Sequence, residues 1–211
     1  MPTVLLTGFE PFAGDTVNPS GDAVRAVAEK WAGPERLIVD VLPVTFDGAT
    51  AQLAALLDEH RPDVVVSVGL AGDRSTVTPE RVAVNLADAR IADNAGHRPQ
   101  DAAVVAGGPA AYFATLPVKA IAAGLANRGI PSTVSHTAGT FVCNATMYAA
   151  LHATTGTPVR AGFIHVPWAA GTAPAGAPAL DFADIVDAVE LAVRVSLDVD
   201  TDAAAAGGEL P

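Results

Sequence analysis

The sequence predicts an α/β fold in which helices cover a mostly parallel sheet. Three observations carry that prediction. Short apolar, β-branched runs alternate with Ala-rich stretches of helical length from one end of the chain to the other. Val64 to Val68 is an almost uninterrupted apolar run, as a central parallel strand buried on both faces must be. Pro and Gly punctuate the boundaries between these runs.

Taken in order, Thr3 to Thr7 reads as the first buried strand, and a Gly/Pro/Asn-rich loop follows it. A helix opens near Pro19 and Ser20 and runs to Trp31. Leu37 to Val44 is the second strand and Ala49 to Glu59 the next helix, after which Pro62 and Asp63 lead into the central strand. Gly69 to Pro79 is a loop, and Arg81 to Leu86 another strand. From Ala87 to Pro109 the chain is polar and rich in Gly, Pro and Asp, longer than an ordinary connection. Pro117 to Arg128 is a helix stopped by Gly129, Pro131 to Ser135 a short strand, and Val142 to Ala153 a helix. Val159 to Val166 is an apolar strand ended by Pro167, and Asp181 to Val195 is the last helix. No repeat and no linker divides residues 1–211, so one catalytic-size domain is expected, with 199–211 as a frayed tail.

Composition narrows the function classes. Half of the 211 residues are hydrophobic and 17% are charged, which argues against disorder. No apolar run approaches the ~18 residues of a membrane span. Met1 to Gly8 has no basic stretch and Glu10 follows at once, unlike a signal peptide, so a cytoplasmic protein is expected. With 12 basic and 23 acidic residues the net charge is −11, a poor match for nucleic acid or an anionic membrane.

Cys143 is the single cysteine, so an intrachain disulfide is impossible. A lone cysteine is commonly a small buried hydrophobe; with His and acidic residues elsewhere, it is also a candidate nucleophile. Its surroundings, Ser135 to Asn144, read as a strand end, a small-residue turn and a helix start. A helix N-terminus favours a thiolate, and its free N–H groups can face a developing oxyanion. His165, at the end of an apolar strand, is a candidate base, because ligands gather at the carboxyl ends of parallel strands. His136, seven residues before Cys143, competes with it. Glu80, where a loop enters a strand, could orient an imidazole or simply be solvated. Phe9 and Phe12, directly after the first strand, either cap the core or form an apolar slot for a small ring.

Seven stretches, GFEPF, NPS, GLAGDR, ERVAVN, DARIADNAG, TAGTFVCN and GFIHVP, lie in order from residue 8 to residue 167. Together they resemble the pyroglutamyl peptidase I (pyrrolidone-carboxylate peptidase) family. The resemblance implies a three-layer α/β/α sandwich around a twisted sheet, often assembled as a dimer or tetramer. It also implies a cysteine exopeptidase that acts on peptides carrying an N-terminal pyroglutamate and needs no cofactor or metal. It puts the nucleophile on Cys143, the base on His165 rather than His136, and the acidic partner on Glu80. Arg90 falls on an arginine close to the oxyanion. Phe9, Phe12, Phe141 and Val142 fall on residues that hold the pyroglutamyl ring, and Asn18 on a polar residue near it. Leu70 stands in the substrate-binding stretch where many members carry Gln, and Asp73 where Gly is usual. The segment between Cys143 and His165 is slightly short, around Thr154 to Pro158.

Overall fold

The computed structural model describes residues 1–206 and residue 208. Its central sheet is built from β1 (Thr3–Phe9), β2 (Arg36–Leu42), β3 (Val64–Leu70), β4 (Thr78–Pro79) and β7 (Arg160–Val166). The strand order is β2-β1-β3-β7-β4, parallel except for the β4–β7 pair. Val65, Val66 and Val68 of β3 are sealed from solvent, because helices close both faces of the sheet. α1 (Pro19–Lys30), α3 (Val118–Asn127) and α5 (Phe182–Asp198) pack together on one side, α2 (Phe46–His60) and α4 (Val142–Thr154) on the other. The predicted α/β/α sandwich is formed.

The strand order reverses direction at β1, with β2 on one side and β3 on the other. Such a switch point opens a crevice at the carboxyl ends of the strands. Phe9, Leu70 and Val166 are the last residues of β1, β3 and β7, so their neighbours converge there.

Two local devices shape that crevice. Asn18 caps α1: its Oδ1 accepts from Ser20 N at 3.1 Å and Ser20 Oγ at 2.8 Å. Its Nδ2 donates to Glu10 O at 2.8 Å, while Ser20 Oγ accepts from Phe9 N at 3.1 Å. The GFEPF loop is thereby tied to a helix start. Helix α2 lacks a side-chain cap from Thr45, and the buried Asp93 supplies one from the long loop, accepting from Phe46 N at 2.9 Å.

The predicted strand at Arg81–Leu86 is shorter. β5 is Val82–Val84 and pairs with β6 (Ala111–Phe113) in a separate antiparallel ribbon, away from the main sheet. Pro131–Ser135 is not a continuous strand and pairs only at two isolated points, Val77↔Ser132 and Glu80↔Ser135. The break has a simple cause. In this parallel ladder the bond between those two points needs an N–H from residue 79, and Pro79 has none. The short ribbon of β8 (Trp168–Ala169) and β9 (Ala179–Leu180) carried too few residues to be read in advance.

The expected frayed tail is not frayed over 199–206. Arg160 Nη1 donates to Val199 O at 2.8 Å, and Asp202 Oδ1 accepts from Lys119 N at 3.1 Å and Ala120 N at 2.9 Å, capping α3. Residues 207 and 209–211 of that predicted tail lie outside the described residues. The loop from Ala87 to Pro109 is also pinned. Ala87 and Ala102 exchange backbone hydrogen bonds, Asn94 Nδ2 donates to Pro11 O at 3.0 Å, and Asn85 Nδ2 donates to Val105 O at 2.9 Å.

Candidate active site

Cys143 is the second residue of α4, behind the positive-φ turn at Gly139 and the N-cap Phe141. No side chain caps this helix, which leaves its first-turn N–H groups for a ligand. Asn144, fully buried beside the cysteine, fixes the turn from below. Its Oδ1 accepts from Val84 N at 2.9 Å, and its Nδ2 donates to Val84 O at 2.9 Å and Leu86 O at 3.0 Å.

His165 sits opposite Gly69 in the β3–β7 register. That glycine is required by space. A Cβ there would lie 2.7 Å from Phe163 Cζ and 2.9 Å from Cys143 Sγ. The missing side chain lets the helix start approach the strand ends.

Glu80 is fully buried, and its Oε1 lies 2.7 Å from His165 Nδ1. A carboxylate can only accept, so Nδ1 carries the proton. Cys143 and His165 line the same cavity, and with Nδ1 engaged by Glu80, Nε2 is the ring nitrogen left to serve the sulfur. Burial alone would lower the pKa of His165. The interaction with Cys143, followed by that with Glu80, outweighs it and raises the imidazole to about 9. Burial pushes the Glu80 carboxyl up, but the hydrogen bond and charge of His165, the Ser135 hydroxyl and the Arg74 guanidinium together hold it below its usual range. Glu80 Oε2 has no hydrogen-bond partner, although Ser135 is near enough to act on its charge, because the Ser135 hydroxyl is turned to Thr137 O at 3.1 Å. At neutral pH His165 is therefore an imidazolium paired with the Glu80 carboxylate.

Beside these groups lies a mainly apolar cavity of about 230 Å³. Phe9, Phe12, Leu70, Phe141 and Val142 line it with Cys143 and His165, and Asn18 closes one side. The rings of Phe12 and Phe141 meet at 5.1 Å, and Phe46 stands edge-on to Phe141 at 5.2 Å, which holds the slot's wall upright. A slot of this kind beside a thiol, an imidazole and free helix N–H groups is equipped for acyl transfer on a small, largely apolar acyl group.

The family model for pyroglutamyl peptidase matches residues 2–199. The chain belongs to that family. A pyrrolidone-carboxylate peptidase of Chromobacterium violaceum is 52% identical over the full length of both chains, and one of Clavibacter michiganensis is 48% identical, also end to end. Among solved structures, pyroglutamyl peptidase I from Bacillus amyloliquefaciens superposes with a TM-score of 0.93 at 40% identity, covering 97% of this chain and 99% of that one. Pyrrolidone carboxyl peptidase from Thermococcus litoralis gives 0.90 at 41% identity over all of both chains.

Nine of the ten side chains anticipated for a pyroglutamyl peptidase site meet here; Arg90 does not. It is exposed, does not line the cavity, and makes no side-chain hydrogen bond or ion pair among the described residues. Its segment is nonetheless tied to the cysteine turn, since Asp88 N donates to Thr140 O at 3.0 Å and Thr140 Oγ1 to Asp88 O at 2.7 Å. His136 is exposed and lines a different, polar cavity, so it is no rival to His165. Sequence reading missed Asp15, Val17, Val44 and Ala138 as lining residues and Arg74 as a partner of Glu80. For Arg74 the only signal was its place in the GLAGDR stretch.

Proposed function

We propose that this chain is a cysteine peptidase that removes N-terminal pyroglutamyl residues from peptides, with Cys143 as nucleophile, His165 as acid and base, and Glu80 orienting His165. The observation that carries the proposal is the buried His165–Glu80 hydrogen bond with His165 and Cys143 together lining an aromatic slot.

The Cys143 thiolate attacks the carbonyl that joins pyroglutamate to the next residue, and the first-turn N–H groups of α4 hold the oxyanion. His165 gives its Nε2 proton to the leaving amine as the C–N bond breaks, leaving a thioester on Cys143. It then takes a proton from water, whose hydroxide attacks the thioester and releases pyroglutamate. Arg90 is the cation that turns toward the oxyanion when substrate binds. Leu70 supplies an apolar wall, so the polar edge of the lactam is read by backbone groups.

Selectivity follows from charge. A pyroglutamyl residue has no ammonium, whereas N-terminal proline, glutamate or glutamine would carry one into an apolar slot. An unpaired buried charge costs several kcal/mol. A free thiol suits a reducing compartment, in keeping with the cytoplasm, and no helix among the described residues is long and apolar enough to cross a membrane. Phe113 and Ile91, 69% and 53% exposed, are apolar side chains available to a homo-oligomer contact. Turnover of a pyroglutamyl-linked fluorogenic amide against its prolyl counterpart tests the reading. Comparable rates on the two would refute lactam recognition.

A further inference from the structure

Arg74 lies on the loop after β3, far in sequence from both Glu80's partner and the cysteine turn, yet it touches the supports of both. Its Nη1 donates to Glu80 Oε1 and to Thr78 Oγ1, each at 2.5 Å, while Nη2 donates to Thr137 O at 3.0 Å. Thr137 opens the turn that leads through Gly139 into α4 and Cys143. We propose that Arg74 is a positioning residue for the cleavage reaction, a fork that locks the buried Glu80 carboxylate to the turn carrying the nucleophile. The inference rests on the catalytic reading of Cys143, His165 and Glu80 given above.

The charge of Arg74 has a second consequence. While His165 is an imidazolium, Glu80 has a cation at 2.7 Å. Once His165 has protonated the leaving amine, that cation is gone. Glu80 would be an isolated buried anion with one oxygen already unpartnered, a costly state. Arg74, always charged, remains as its counter-ion. The same cation repels the proton on His165 and so eases its delivery. The titratable groups acting on the pair are Arg74 from the β3 loop and Cys143 from α4. Asp73 and His136 line the polar cavity on the far side of the guanidinium.

The test compares the wild type with Arg74→Gln and Arg74→Lys, using a pyroglutamyl fluorogenic amide, active sites counted by alkylation of Cys143, and the His165 ring resonances followed by NMR across pH. Arg74→Gln should lower kcat per active thiol by about ten- to a hundredfold, as small misplacements of reacting groups do. KM should stay close to wild type. The His165 midpoint and the alkaline limb of kcat/KM should both move upward, because the pair holds its proton more tightly. Arg74→Lys should return the midpoint toward wild type by restoring charge, with kcat still reduced, because an ammonium cannot span Glu80, Thr78 and Thr137 together. Fewer active sites with unchanged kcat per site and an unmoved His165 midpoint would mean a merely structural role and overturn the inference. Should Arg74→Gln not fold, wild-type kcat in Arg74→Lys would overturn it equally. A wild type that fails to hydrolyse the amide defeats the catalytic reading instead, and the NMR midpoint still decides whether Arg74 acts on His165.

Discussion

Glu80 Oε1 stands 2.7 Å from His165 Nδ1, and the Glu80 side chain is wholly closed to solvent. In that setting the carboxylate does more than orient a ring. It stabilises the imidazolium, so the proton of the site belongs to the His165–Glu80 pair rather than to either residue alone.

Replacing Glu80 with Gln keeps the shape and removes the charge. The His165 pKa should fall, the alkaline limb of kcat/KM should move down, and kcat should drop on the order of 10²-fold, the lower end of what acid–base catalysis contributes. KM should change little, because Glu80 does not line the slot. Wild-type kinetics and pH profile in Glu80→Gln would remove Glu80 from the mechanism.

The same shifts give stability a pH window. His165 is raised from 6.5 to about 9, so its contribution is fully present below pH 6.5 and is lost as pH rises through 9. Glu80 is lowered from 4.5, so its contribution is present above that value and is lost as pH falls through its lower folded-state pKa. Denaturation midpoints in urea should therefore decline at both ends. In Glu80→Gln both declines should be blunted; an unchanged pH curve would show that the pair is not linked to folding.

Phe12 leans on Phe141 at 5.1 Å, and both line the slot. Aromatic pairs of this kind contribute about 0.5–1.5 kcal/mol beyond burial. Phe12→Ala should raise KM for pyroglutamyl amides several-fold and lower kcat as positioning is lost. Steady-state kinetics check this, and unchanged KM and kcat would assign Phe12 to core capping.

Gly69→Ala tests the space reserved for the sulfur. Its Cβ would press on Phe163 Cζ at 2.7 Å and Cys143 Sγ at 2.9 Å. Over-packing should cost about 1–3 kcal/mol of stability. Displacing the thiol by about 1 Å should cost on the order of 10²-fold in kcat. Thermal melts and kinetics read the two effects separately, and full activity would show that the sulfur has room to spare.

Much of this arrangement was legible because it follows from local chemistry. The all-buried run of β3 and the turn into α4 were readable from a few adjacent residues, and the resemblance tied Cys143, His165 and Glu80 together. What could not be read depends on partners distant in sequence. Pro131–Ser135 has the composition of a strand, but Pro79, on the neighbouring segment, denies it the ladder. Asp202 looks like tail, yet it caps a helix more than eighty residues earlier. Arg74 sits in a polar loop, where an arginine is ordinarily solvated; only the fold reveals that a buried carboxylate and a catalytic turn lie within its reach. Arg90 shows the reverse, since the resemblance brought it to the oxyanion and the structure leaves it exposed.

The central claim is that Cys143 is a thiolate nucleophile paired with His165, and alkylation of this single thiol tests it most directly. Iodoacetamide should modify Cys143 in the folded protein faster than in the unfolded chain near neutral pH, with one equivalent abolishing turnover and a pyroglutamyl peptide slowing the reaction. A folded-state rate no greater than that of the unfolded thiol, or turnover that survives complete modification of Cys143, would contradict the account.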